Sequence, residues 1–144
     1  QNKTKYPNYK PSPFGPNRTS GVMEIRDGMS NTMLMSEILQ ATNDAHFDFR
    51  GDILNDDIAC AQFMTVNTPN STAPDQNVCV DLVKPAPCST AGDRIQAARS
   101  NHPGGVLAVL GDGSVHFYTN SIDLSTWQAL GSMAGGEVIP GDVH

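Results

Sequence analysis

Positive charge is scarce in this 144-residue chain: nine Lys and Arg stand against fifteen Asp and Glu, for a net charge of −6. A chain of that balance, with no basic stripe, lacks the phosphate-neutralising surface that nucleic-acid binding needs. It equally lacks the Lys/Arg cluster that grips an anionic membrane. Long apolar runs are missing too; none approaches the ~20 residues of a spanning helix. No secretory leader is recognisable, so the expectation is a chain that starts after any targeting segment. Cysteine is sparse, at 60, 79 and 88, with no C-x-x-C pair, which is poor spacing for zinc. Neither a nucleic-acid partner nor a membrane span in this chain is expected.

Thirteen Gly and ten Pro, with 17% charged residues, describe a loop-rich β or α+β chain of one ordinary domain. Residues 1–21 hold four Pro and no periodicity, which reads as an extended arm. Residues 22–144 form the single globular domain. In an oxidising compartment Cys79 and Cys88 would close a short loop across Lys84, Pro85 and Pro87, worth roughly 2–3 kcal/mol. The alternative is three buried thiols; the disulfide is favoured, leaving Cys60 free or intermolecular.

Val22, Met23 and Ile25 give one helical turn that stops at Asp27-Gly28. From Thr32 to Leu39 a helix and a buried strand both fit, and turn chemistry before it favours a strand. His46, Asp48 and Arg50 alternate with Phe47 and Phe49, so a strand is expected there, bent at Gly51. Residues 64–97, with Pro at 69, 74, 85 and 87, offer little regular structure; so long a connection is functional or pinned by cross-links. Near the end, Ser121 or Asp123 caps a short helix with Leu124, Trp127 and Leu130 as its buried stripe and Gly131 as its stop.

The clearest local signal is "VLAVLGDGSVHFY", where Asp112-Gly113 separates two alternating apolar runs. A type I′ hairpin with a two-residue turn is expected, with φ > 0 at Asp112. Leu110 would then pair with Val115 and Ala108 with Phe117 on one face, Val109 with His116 and Leu107 with Tyr118 on the other. Both faces are largely apolar, so cover on both sides is expected.

His102 and Asp112 invite an acid/base or metal reading. Against it, Asp112 is turn chemistry, Pro103-Gly104-Gly105 is a tight turn into the strand, and no nucleophile signature accompanies them. A structural role is favoured. Asp44, Asp48, Asp52, Asp56 and Asp57 offer oxygens for calcium, with Asp48, Asp52 and Asp56 the best candidates. The spacing matches no EF-hand loop, and a solvated acidic edge is the preferred alternative. Arg50-Gly51-Asp52 spells an adhesion tripeptide, yet Arg50 is expected to pair with a carboxylate instead. Asn2, Asn17 and Asn70 head glycosylation sequons.

Four blocks of this sequence resemble one family in order. They are "IRDGMSNTMLMSE", "TPNSTAPDQNVC", "AARSNHPGGVLAVLGDGSVHF" and "IDLSTWQALGSMAGGEVI". The third carries the H-x9-DG spacing through His102 and Asp112. The family is the planctomycete-type domain of unknown function 1559, which follows a prepilin-like N-terminus. The resemblance runs over residues 22–139. Departures are Leu107 where the family has Asn, Ser36 where it has Gly, and a different strand near Ile53. The prepilin cleavage site and hydrophobic helix are not in this chain. The resemblance implies an α+β, pilin-like antiparallel sheet with short helices and long Pro/Gly-rich loops, without its N-terminal helix. It also implies the cell surface or periplasm. No catalytic residues carry over. Arg99, His102, Gly104, Gly105, Asp112 and Gly113 are accordingly expected to build a hairpin and its entrance.

The leading expectation for function is a non-catalytic extracellular subunit, without cofactor, that assembles with itself, residues 1–20 exchanging between copies. A cell-surface module binding a glycan or peptide, with calcium, is the alternative. A hydrolase using His102 or His46 comes last.

Overall fold

The computed structural model describes residues 10–15, 17–41, 43, 45, 47–55, 60–80, 86–90, 92, 94–141 and 143. The fold is a small α+β unit. A three-stranded antiparallel sheet has β4 (Gly105–Leu110) at its centre, flanked by β1 (Met33–Ser36) and β5 (Val115–Thr119). Helix α1 (Leu124–Leu130) follows. Two-residue strands β2 (Asp75–Gln76) and β3 (Cys88–Ser89) form a separate parallel pair, and 3₁₀ turns occupy Val22–Glu24 and Met29–Asn31.

The β4–β5 hairpin forms, but its turn is one residue longer than expected. Leu110 N–H donates to the Ser114 carbonyl (2.9 Å) and Gly113 N–H to the Leu110 carbonyl (3.0 Å), so Gly111, Asp112 and Gly113 make the loop. Only Gly113 has positive φ (87°); Asp112 does not. A turn closed by a left-handed glycine is the three-residue solution, in place of type I′. The pairing shifts by one. Val106 faces Tyr118, Leu107 faces Phe117, Ala108 faces His116 and Val109 faces Val115. A one-residue slip exchanges faces, so the expected pairs are corrected throughout.

The inner face is Val106, Ala108, Leu110 and Tyr118, each at most 1% exposed. It meets Met33, Ala98, Trp127 and Leu130 in one core, with Tyr118 edge-on to Trp127 at 5.6 Å between centroids. Cover on both sides, however, is not what the described residues show. On the outer face Met35 is 60% exposed, Val115 57% and Phe117 45%.

In α1 Asp123 is the cap, accepting from Thr126 N–H at 3.0 Å. Leu124 is exposed, so the buried set is Trp127, Ala129 and Leu130, not the expected triplet. Gly131 ends the helix with negative φ; a side chain there would collide with Thr65.

The strand expected around His46–Arg50 does not form. Phe47, Asp48 and Phe49 are irregular and Arg50-Gly51 is a turn, with Gly51 at φ 76°; His46 lies outside the described residues. Arg50 is drawn inward to carboxylates, which decides the path against a ladder. Within 64–97 the pins are Cys79–Cys88, a disulfide with Cα atoms 5.9 Å apart, and a buried ion network. Cys60 is buried and outside the disulfide. The described part of the arm lies on its own chain: Met133 N–H donates to the Pro11 carbonyl (2.9 Å), Lys10 pairs with Glu137, and Arg18 reaches Met133 Sδ. No helix of the described residues is long and apolar enough to cross a membrane.

Candidate functional site

Arg99 follows a fully buried Ala97-Ala98 pair, and the chain there runs past two neighbours. Asn70 N–H donates to the Ala98 carbonyl (2.9 Å) and Arg99 N–H to the Glu37 carbonyl (2.8 Å). The Arg99 side chain is thereby aimed inward. Nε meets Asp75 Oδ2 at 2.8 Å and Nη2 meets Oδ1 at 3.0 Å, while the Ser71 and Ala73 carbonyls accept from Nη1 and Nη2 at 2.7 and 2.8 Å. Arg50 approaches the same carboxylate through Nη1 (3.2 Å) and binds Asp48 through Nε and Nη2 (3.0 and 2.7 Å). It also donates to the Val80 and Ala86 carbonyls. Two guanidinium groups and two carboxylates are thus buried and mutually neutralised, which is the condition for burying charge at all. Burial works to raise the Asp48 carboxyl, but bonds from the Arg50 side chain and from the Arg50 and Val80 N–H groups, with the Arg50 charge, hold it below its usual value.

His102 sits at the rim. Its Nε2 is 3.1 Å from Glu37 Oε1, while Glu37 Oε2 accepts from Leu107 N–H at 2.7 Å. The Glu37 carboxylate therefore replaces a backbone acceptor where β1 has ended. Glu37, Ile38, Leu39, Arg99, Ser100, Asn101 and His102 line an open cavity of about 290 Å³. Asp112 is elsewhere. The whole of β4 separates it from His102, about 20 Å at the usual strand rise. The two cannot act on one proton. Asp112 instead accepts from Ser114 Oγ (2.6 Å) and Ser114 N–H (2.9 Å), and these bonds, with one from Ser30, hold its carboxyl down to about 2.

Gly104 and Gly105 serve different needs. Gly104 has φ 83° with open space around it, while Gly105 is packed under Tyr118 and Phe117. Of the calcium candidates, Asp48 is taken up by Arg50, Asp52 accepts from Leu54 N–H, and Asp56 lies outside the described residues, as do Asp44 and Asp57. Among the described residues no group of three His, Cys, Asp or Glu is placed to hold a metal ion. Arg50, 2% exposed, cannot present an adhesion tripeptide. Asn70 is no open glycan acceptor either: at φ 50° its amide donates to the Gly105 carbonyl and Asn120 Oδ1 and accepts from Ser100 N–H. Asn17 is exposed at φ 53°, and Asn2 lies outside the described residues.

Sequence reasoning missed Glu37, Asp75 and Asp27 as partners, although each stands in a quoted block. Asp27 accepts from Gly135 and Gly136 N–H (2.7 and 2.8 Å). The first block thus holds the fourth through Asp27 and the third through Glu37; the second holds the third through Asp75 and Asn70. A protein family described as a protein of unknown function, DUF1559, matches residues 3–125. The chain belongs to this family. The match takes in most of the arm and stops at the second residue of α1, so it starts earlier and ends sooner than the 22–139 read from the sequence. No curated protein matches this DUF1559 chain, and no solved structure does.

Proposed function

We propose that this DUF1559 chain is a structural subunit: the globular head of a pilin- or pseudopilin-like protein that assembles with copies of itself at the cell surface. The observation that carries this is the outer face of the sheet. Met35, Leu107, Val115 and Phe117 form an uncharged strip on a face that α1 leaves bare. A soluble monomer seldom exposes contiguous apolar surface beyond a few hundred Å², and assembly supplies the cover. Arg99 and Asp75 of the quoted blocks point inward as a clamp, which suits a structural part better than a catalyst. The Cys79–Cys88 bridge fits an oxidising compartment outside the cytoplasm. Electron microscopy of the native protein, purified from its own cells, tests the proposal. Filaments, tubes or a lattice containing this chain are the expected result. Dispersed monomers with a turnover activity would overturn it.

A further inference from the structure

The sheet has two edges, and they differ. Edge β1 is four residues long, carries a bulge between Met33 and Met35, and runs into Glu37. Short length, a bulge and a nearby charge are the devices by which proteins blunt an edge. Edge β5, Val115–Thr119, is one residue longer and has no Lys, no Pro and no bulge.

Among the described residues nothing pairs with its outer backbone edge. Bonded positions alternate along an antiparallel ladder. Leu110 bonds Ser114 and Asn120 bonds Gly104, so the even-numbered residues of β5 turn to β4. Val115 and Phe117 turn their N–H and C=O groups outward. Beside this edge, Phe117, Thr119, Ile122 and Asp123, with Pro140 and Val143, border a cavity of about 350 Å³.

Charge selects the occupant. Copies of a chain with net charge −6 repel, yet no carboxylate lies between Asp112 and Asp123. This stretch is where two copies can meet. We infer that two copies of the chain join edge to edge through β5, antiparallel about a two-fold axis, with Val115 of each opposite Phe117 of the other. The alternative with Phe117 opposite itself would bring Asp112 beside Ile122 and Asp123 of the second copy. In the chosen register Asp112 faces Asn120, and His116 faces its own copy across the axis. The joined sheets extend the apolar outer strip across both copies. A five-residue seam buries less than the ~800 Å² per partner of a standard interface, so the contact is weak and concentration-dependent.

This rests on the assembly reading and names one of its contacts. Sedimentation of the full chain over a wide concentration range should show reversible dimers, and Val115→Lys should abolish them without changing the melting temperature. Under mild oxidation His116→Cys should give covalent dimers, whereas the parent should not. A parent that stays monomeric throughout overturns the β5 contact, as does a folded Val115→Lys chain that still dimerises. Were Val115→Lys to lose its fold, the His116→Cys cross-link decides, and its failure to form overturns the contact. Native filaments that persist with Val115→Lys remove the β5 contact and leave the assembly reading standing. Absence of any native assembly removes the assembly reading itself.

Discussion

Arg99 and Asp75 meet through two parallel hydrogen bonds, at 2.8 and 3.0 Å, with both side chains about 1% exposed. The pair joins segments 24 residues apart in sequence and holds the approach to β4. Removing the guanidinium leaves Asp75 with the longer Arg50 contact and the Ala97 N–H bond to Oδ1. Arg99→Met should therefore cost about 3–5 kcal/mol, as expected for breaking a buried pair. Arg99→Lys should recover little, because an ammonium cannot reproduce the planar fork. Urea denaturation checks both; a lysine variant as stable as the parent would show that charge alone suffices.

Asp48 sets an acid limit. Its folded carboxyl lies below the ordinary value of 3.8. In acid the unfolded chain therefore binds protons that the folded chain does not. The contribution is complete above the ordinary range and disappears as pH falls through the lowered folded value. Melting temperature should fall steeply below pH of about 4, and Asp48→Asn, already destabilised at neutral pH, should fall less. Parallel curves would exclude Asp48 as a source of the acid sensitivity.

The adjacent glycines Gly104 and Gly105 separate two kinds of constraint. A side chain at Gly104 has room and suffers only from φ 83°, so Gly104→Ala should cost about 1–2 kcal/mol. At Gly105 the new methyl would run into the Tyr118 carbonyl and sit 2.7 Å from Phe117 Cζ. Gly105→Ala should cost more, about 3 kcal/mol, and should broaden the Phe117 ring signals in NMR. Equal costs would mean that backbone conformation governs both positions.

The sequence showed the hairpin, a strand within Thr32–Leu39, a helix capped by Ser121 or Asp123 and the Cys79–Cys88 pairing, because each is a short-range matter of turn chemistry or spacing. Its turn length was not legible. Asp112-Gly113 suits two turns that differ only in whether Asp112 has positive φ, and that single difference exchanged the faces of Val115 and Phe117. The strand drawn at His46–Arg50 failed for a long-range reason. Alternation there matched a ladder, but Arg50 is drawn inward by Asp48 beside it and by Asp75 and the Val80 and Ala86 carbonyls, 25 to 36 residues away. Partners such as Glu37 and Asp27 stayed hidden because their spacing to His102 and Gly135 has no local pattern.

The disulfide should stabilise the same network. Cys79 and Cys88 close the segment whose Val80 and Ala86 carbonyls accept from Arg50. Replacing both with Ser should cost about 2–3 kcal/mol by releasing a short loop. Strain-free loss of that loop alone would leave Arg50 in place. A Cys79→Ser/Cys88→Ser chain that melts as the parent does, with and without reductant, would show that the loop is held by Arg50 without the bridge.

Asp27 offers the sharpest test of whether the blocks act as clamps. Its carboxylate gathers the N–H groups of Gly135 and Gly136, with Ser132 Oγ at 3.3 Å, while Arg26 and Asp27 N–H groups bind the Met133 carbonyl. Met133 in turn holds Pro11 of the arm. Three distant stretches therefore converge on one half-buried aspartate. Charge-assisted bonds of this kind are worth about 1.5–3 kcal/mol each, and partial exposure of the site lowers that worth. Asp27→Ala should accelerate hydrogen exchange at Met133, Gly135 and Gly136 and leave Val106 to Leu110 protected, because the sheet core does not depend on this clasp. Acceleration spread equally into β4 would make Asp27 a determinant of the whole fold, and no acceleration at Gly135 and Gly136 would remove it from the clasp.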